Sequence, residues 1–229
     1  MESKVFFQLY KGFNQPISAL DCGQKCSPYN ENGKPFCCDT RHAVPTVYTE
    51  EWVYLQENTD LWHLWRGETA KETARLQAEK PEDQELVECK GHLLCQRTFR
   101  SITCRAFPFF PYLDRAGNFL GITYYWAYED RCWVISHLDV VSVEYLNEFV
   151  STFEVLFAER PQDYENFKYH SMIMRRIFGR KHQSIPLLHR NGNYYKVTPR
   201  NGRLRRVQKD QLPKFGPYKI AAKLRFADE

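Results

Sequence analysis

Eight cysteines constrain this chain more than any other feature. They fall in two groups of four, Cys22-x3-Cys26-x10-Cys37-Cys38 and, after a gap of fifty residues, Cys89-x5-Cys95-x8-Cys104-x27-Cys132. A chain of 229 residues can bury a core without covalent staples, so stability alone does not require these thiols. The start, "MESKVFFQLYKGF", carries only a short apolar run interrupted by Gln8 and Lys11, unlike a secretory signal. No run of eighteen apolar residues offers a membrane span either. A cytoplasmic location is therefore expected, where glutathione keeps ordinary thiols reduced and a disulfide framework is the lesser alternative.

Free thiols in such numbers call for a metal, a redox role or burial. Most of these cysteines stand beside Lys, Gln, Asp, Arg or Glu, which disfavours simple packing. Zinc and iron–sulfur clusters both take four soft thiolates, and ligands drawn from turns converge without strain. Gly23, Pro28, Gly33 and Pro35 supply turns in the first group and Gly91 in the second. The candidate metal ligands are Cys22, Cys26, Cys37, Cys38, Cys89, Cys95, Cys104 and Cys132. The adjacent pair poses a geometric condition: in extended backbone Cys37 and Cys38 point to opposite faces, so both reach one ion only across a kink. The C-x3-C-x2-C spacing of radical-chemistry clusters is broken, because Tyr29 stands where its third cysteine belongs.

The segment "CKGHLLCQRTFRSITCRAFPFFP" resembles the YkgJ-like family of cysteine-rich zinc- or iron-chelating proteins. Cys89, Cys95, Arg100, Cys104, Arg105, Phe107 and Pro108 fall on that family's pattern, and Trp126 and Cys132 resemble the tryptophan and final cysteine that follow. The first group resembles the family's opening C-x2-C-x2-C-C. Here the intervals are x3 and x10, with "SPYNENGKP" inserted, and Ser101 stands where the family usually has proline. The likeness spans about residues 20 to 135. It implies a metal centre on the clustered thiolates, with Trp126 beside it. Flagellin lysine methylases open with a similar cluster, which implies a protein-modifying metalloenzyme as an alternative.

Eight thiols permit two four-ligand sites or one site with spare thiols. Iron–sulfur is the first choice of cofactor and zinc the second, since a vicinal pair and the basic neighbours Arg100 and Arg105 suit a larger, negatively charged cluster. His42 and His92 are weaker nitrogen candidates. His137 and Asp139 form H-x-D without a nucleophile placed by the sequence, and no phosphate-cradling glycine motif occurs.

Around the thiols, the periodicity predicts an α+β fold: an irregular cysteine-rich metal-binding core with short strands and supporting helices, plus a C-terminal β-meander. Thr49 reads as the N-cap of one helix, and "GETAKETARLQAEKPEDQE" as an exposed helix or mobile excursion. "FLGITYYWAY" reads as a strand partnered by "CWVIS". Val143, Leu146, Phe149, Val150, Phe153, Leu156 and Phe157 keep helical spacing, and a second helix starts at Pro161. Asn-Gly at 191–192 and 201–202 marks a meander. Two units are expected, a metal-binding domain with its helices over 1–180 and a basic extension over 181–229.

Residues 160–229 hold 17 Lys and Arg against 5 Asp and Glu, a net of +12. With Tyr194 and Tyr195, the cluster Arg203, Arg205 and Arg206 is a candidate surface for an acidic protein or nucleic acid. Three functions follow from these features: a protein that carries, senses or delivers metal; a metal-dependent modifying enzyme; or an adaptor with a structural metal and a basic binding end.

Overall fold

A computed structural model describes residues 3–219 of the chain. Helix α1 spans Ser3–Gly12 and the short α2 spans Cys22–Cys26. Strand β1 (Thr46–Tyr48) runs directly into α3 (Thr49–Asn58), followed by β2 (Trp62–Leu64), α4 (Ala70–Glu79) and β3 (Gln84–Cys89). After a loop of two 3-10 turns come α5 (Ile102–Ala106), β4 (Phe109–Leu113) and β5 (Phe119–Tyr124). Two long helices, α6 (Val143–Glu159) and α7 (Pro161–Arg180), lead to β6 (Ile185–His189), β7 (Tyr194–Val197) and β8 (Leu204–Arg206). The mix is α+β, as the periodicity indicates.

The strands form two antiparallel sheets, one ordered β1-β3-β2 and one ordered β4-β5-β6-β7-β8. The large sheet carries α6 and α7 on its apolar face. Phe149 and Phe153, one helical turn apart, stack at 4.4 Å and bury fully with Leu146 and Leu156, so the 3.6-residue spacing of this helix is core packing. Ser142 caps α6 through its Oγ, which accepts from the Tyr145 N–H, and Pro161 opens α7 where its missing N–H costs nothing.

Two expectations are corrected. "CWVIS" is no strand: Trp133–Val140 is a pair of 3-10 turns that buries Val134, Ile135 and Leu138. A five-residue apolar run carries too short a period to separate the two states, and contacts decide. The partners of β5 are instead β4 and β6. The N-cap of α3 is Tyr48 rather than Thr49, with Glu51 accepting the Tyr48 N–H at 3.3 Å.

The expected C-terminal meander is present as β6, β7 and β8, and it continues the sheet begun by β4 and β5. Close approach makes that junction possible. Gly121, at φ +149°, pairs with His189, and a Cβ there would lie 2.3 Å from the Leu188 carbonyl oxygen. Val197 and Val207 are buried in the main core with Tyr194 and Leu204 packed beside them. The final segment of the expected extension, 220–229, lies outside the described residues.

Candidate metal centre

All eight cysteines are free thiols, and they stand on α2, the 36–38 turn, the end of β3, the loop and helix of 95–104, and position 132. Cys22 and Cys26 sit at the two ends of α2. The helix is started by Asp21, whose Oδ1 accepts from the Gly23 and Gln24 N–H groups. Gly23 faces Pro35 so closely that a Cβ would lie 3.0 Å from its ring, which brings α2 against the turn bearing the vicinal pair.

That turn is the kink the sequence could only pose as a condition. Phe36–Cys38 is a 3-10 turn closed by the Cys38 N–H donating to the Pro35 carbonyl, and the Cys37 and Cys38 sulfurs lie 3.9 Å apart. The insertion "SPYNENGKP" is ordered by a residue outside the cysteine pattern. Asp39, only 4% exposed, accepts from Asn30, Asn32 and the Arg41 fork, and so ties the loop shut beneath the pair. The Arg41 guanidinium, helped by these amides, holds the Asp39 carboxyl well below the usual carboxylate range. Turn-forming Asn residues in the insertion were its only sequence signal.

The second group arrives on different elements. Cys89 ends β3 opposite Trp62, Cys95 lies in the following loop, and Cys104 sits in α5, where its N–H is capped by Ser101 Oγ at 3.1 Å. Cys132 precedes the 3-10 turns of 133–140, and α2 packs against those turns.

Arg100 and Arg105, expected beside the thiolates, divide the work. Arg100 Nε donates to Cys95 Sγ at 3.0 Å. Burial would lower its pKa, but the thiolates of Cys104, Cys95 and Cys38 outweigh that and raise it. Arg105 is 7% exposed and donates instead to the carbonyls of Arg100, Thr98, Tyr10 and Phe13, fixing the loop that carries Cys95 against α1. The ring of Trp126 stacks on His170 of α7 at 4.9 Å. A cavity of about 40 Å³ lies beside Cys104, lined by Arg97, Arg100 and Arg105.

Burial raises most of the thiol pKa values, to about 11 for Cys22 and about 12 for Cys104. Cys26, Cys89 and Cys132 rise for the same leading reason. The adjacent pair shares one contact in which either sulfur can donate; with it Cys37 is raised and Cys38 lowered, the latter with help from Arg100. The site is thus a set of largely desolvated thiols beside one fixed cation, Arg100, suited to a soft metal that displaces protons on binding. Among the described residues, no three His, Cys, Asp or Glu side chains already surround one point at ligand spacing.

Two more residues went unnoticed in the sequence. Tyr218, 3% exposed, packs with Cys26 and Phe36, meets Tyr29 edge-on at 5.4 Å and donates to the Arg131 carbonyl at 2.7 Å. The strap leading to it is held by the Phe215 N–H donating to Ser136 Oγ at 2.8 Å. Nothing in the sequence ties a tyrosine so far downstream to Cys26. Glu51, fully buried, accepts from Tyr10 at 2.6 Å and from the Ile102 N–H at 2.7 Å, joining α1 and α3 to the start of α5.

The weaker candidates have structural partners. His42 meets the Phe36 ring edge-on at 5.0 Å and lies 3.8 Å from Asp39. His137 stacks on Trp133 at 4.3 Å, and Asp139 pairs with Lys214 at 3.7 Å. Arg203, Arg205 and Arg206 are exposed on or beside β8, with Arg206 donating to Asn193 at 2.6 Å. Among the described residues, no helix is long and apolar enough to cross a membrane. The chain matches no family model, no curated protein and no solved structure in the comparisons made.

Proposed function

We propose that this chain is a metal-binding protein that carries an iron–sulfur cluster, or else zinc, on its clustered cysteine thiolates. The observation that carries this reading is placement: α2 with Cys22 and Cys26 packs against the turns that follow Cys132, its Gly23 lies against Pro35 beside the vicinal pair, and the Cys37 and Cys38 sulfurs lie 3.9 Å apart. The Arg100 guanidinium points its Nε at Cys95 Sγ. Soft thiolates favour zinc and iron–sulfur clusters over hard cations, and Arg100 would offset the negative charge of an all-thiolate centre. Cys22, Cys26, Cys37, Cys38, Cys89, Cys95, Cys104 and Cys132 would hold the metal. Bound there, it supplies either a redox couple or a structural cross-link between segments distant in sequence. A reducing compartment such as the cytoplasm, where thiols stay free, suits this chemistry.

The test is the metal and acid-labile sulfide content of protein prepared without oxygen, read with its absorption spectrum. Iron with matching sulfide and a visible charge-transfer band supports the cluster, and stoichiometric zinc without sulfide supports zinc. Protein free of both, with all eight thiols reduced, would sink the reading.

A second reading rests on the exposed arginines. Arg203, Arg205 and Arg206 lie at β8, an outer strand of the large sheet, where an acidic protein or nucleic acid could meet them. Steep loss of RNA or DNA binding with salt would support it, and binding no stronger than that of a triple Arg→Gln variant would dismiss it.

A further inference from the structure

We propose that a cleft between α7 and two turns of the large sheet binds a phosphomonoester carried on a flat aromatic ring, at a site separate from the thiols.

The cleft has a volume of about 530 Å³, within the range of roughly 300–1,000 Å³ usual for small-molecule sites, and none of the cysteines is among its lining residues. One face of α7 forms its floor, where Glu165, Lys168, Tyr169, Met172, Arg175 and Arg176 recur at three- and four-residue spacing. Its walls are Asp114 and Arg115, in the turn between β4 and β5, and Pro199, in the turn between β7 and β8. Both turns are pinned. Tyr164 Oη donates to the Gly117 carbonyl at 2.9 Å, and Arg115 Nη2 donates to the Pro199 carbonyl at 3.2 Å and to that of Arg200, tying one wall to the other. The cleft is therefore formed before a ligand arrives.

Arg175 is the reason to expect an anion. It is only 9% exposed, yet it has no carboxylate at ion-pair distance among the described residues, and a buried charge without a counter-ion is costly. Its Nη1 donates to the Leu113 carbonyl at 2.7 Å and to Tyr112 Oη at 3.3 Å. Holding the end of β4 takes that one nitrogen. Among the described residues, Nε and Nη2 have no acceptor, and neither is fully enclosed, so the rest of the fork remains available where the residue lines the cleft.

The remaining lining has the same sign. Glu165 pairs with Lys168 at 3.4 Å, and Asp114 accepts from the Asn118 backbone N–H and side-chain amide at 2.8 and 3.0 Å, so both carboxylates have partners of their own. Arg176 is exposed. Arg115, Arg175 and Arg176 together suit a dianion better than a carboxylate, and the guanidinium fork matches phosphoryl oxygens. Tyr169, 62% exposed, adds an aromatic ring outside the core, with Met172 and Pro199 as further apolar lining. That combination gives a flat ring a surface to stack on while its phosphate meets the arginines.

The experiment titrates the full chain by calorimetry with adenosine monophosphate and phenyl phosphate, beside adenosine and inorganic phosphate. At least one of the two esters should bind about tenfold or more tightly than inorganic phosphate, and adenosine should bind more weakly than its monophosphate. Arg176→Gln and Tyr169→Ala change exposed side chains and should each weaken binding by about tenfold; Arg175→Lys, which keeps the charge and loses the fork, should weaken it at least as much. Thermal melting establishes that each variant is folded, and the two exposed variants decide the matter if Arg175→Lys is not. Binding of neither ester at millimolar concentration, inorganic phosphate binding as tightly as both esters, or affinity unchanged by Arg176→Gln and Tyr169→Ala would overturn the proposal. An equal loss from Arg203→Gln, which lies outside the cleft lining, would also overturn it by showing attraction to basic surface alone.

Discussion

At the scale of single residues, the two arginines beside the thiols make different predictions. Arg100 bonds a sulfur, so Arg100→Gln should leave the fold intact and weaken metal retention by about 10–100-fold, measured by competition with a chelator. Arg105 bonds only carbonyls, so Arg105→Gln should lower thermal stability by about 2–4 kcal/mol even in metal-free protein. Equal effects of the two variants on metal retention alone would contradict this division. Glu51 gives a pH signature. Burial pushes its pKa up from 4.5 to about 7, against the hydrogen bonds from Tyr10, Ile102 and Tyr48. A group raised in the folded state stabilises fully below its unfolded pKa, and that contribution is lost as pH rises through the folded value. Metal-free protein should therefore lose stability between about pH 4.5 and 7, by roughly 1.4 kcal/mol per pH unit at most from this group. Glu51→Gln should flatten that slope, as urea titrations across the window would show; an unchanged slope would assign it to other groups. The sequence made Arg100 legible through its place between two cysteines. It left Asp39, Glu51 and Tyr218 hidden, because each also depends on a distant partner: Asn30, Ile102 and Arg131, 9, 51 and 87 residues away in the chain.

Elements were readable where their period was long or their ends were marked. α6 is marked in the sequence by its apolar spacing and α7 by Pro161 at its start. The meander announced itself by its Asn-Gly turns, whose glycines adopt φ +79° and +74°. The strand expected at 132–136 is instead the start of 3-10 turns, because a few apolar residues fit either state. The kink at Cys37 and Cys38 was invisible because a carbonyl two residues before the pair closes it. Gly121 shows the same dependence on neighbours: only the approach of β6 makes it obligatory. Gly121→Ala should force β5 from β6 and destabilise the fold by about 2–4 kcal/mol, measured by denaturant titration. A neutral effect would mean the β5–β6 pairing is not needed to hold the meander.

At the scale of the whole molecule, the C-terminal part is built into both the sheet and the thiol site. β6 pairs with β5, and the strap through Phe215 to Tyr218 reaches Ser136, Arg131 and Cys26. Removing residues 181–229 should therefore expose α7 and β5, yield aggregated protein and lose metal; a soluble truncation with full metal would show the meander to be dispensable. The proposed metal binding stands on the thiolates as ligands. The most direct measurement is X-ray absorption at the metal edge of the full chain prepared without oxygen. It should show a first shell of sulfur alone, at about 2.3 Å. A first shell of nitrogen or oxygen, or the absence of stoichiometric metal, would contradict it.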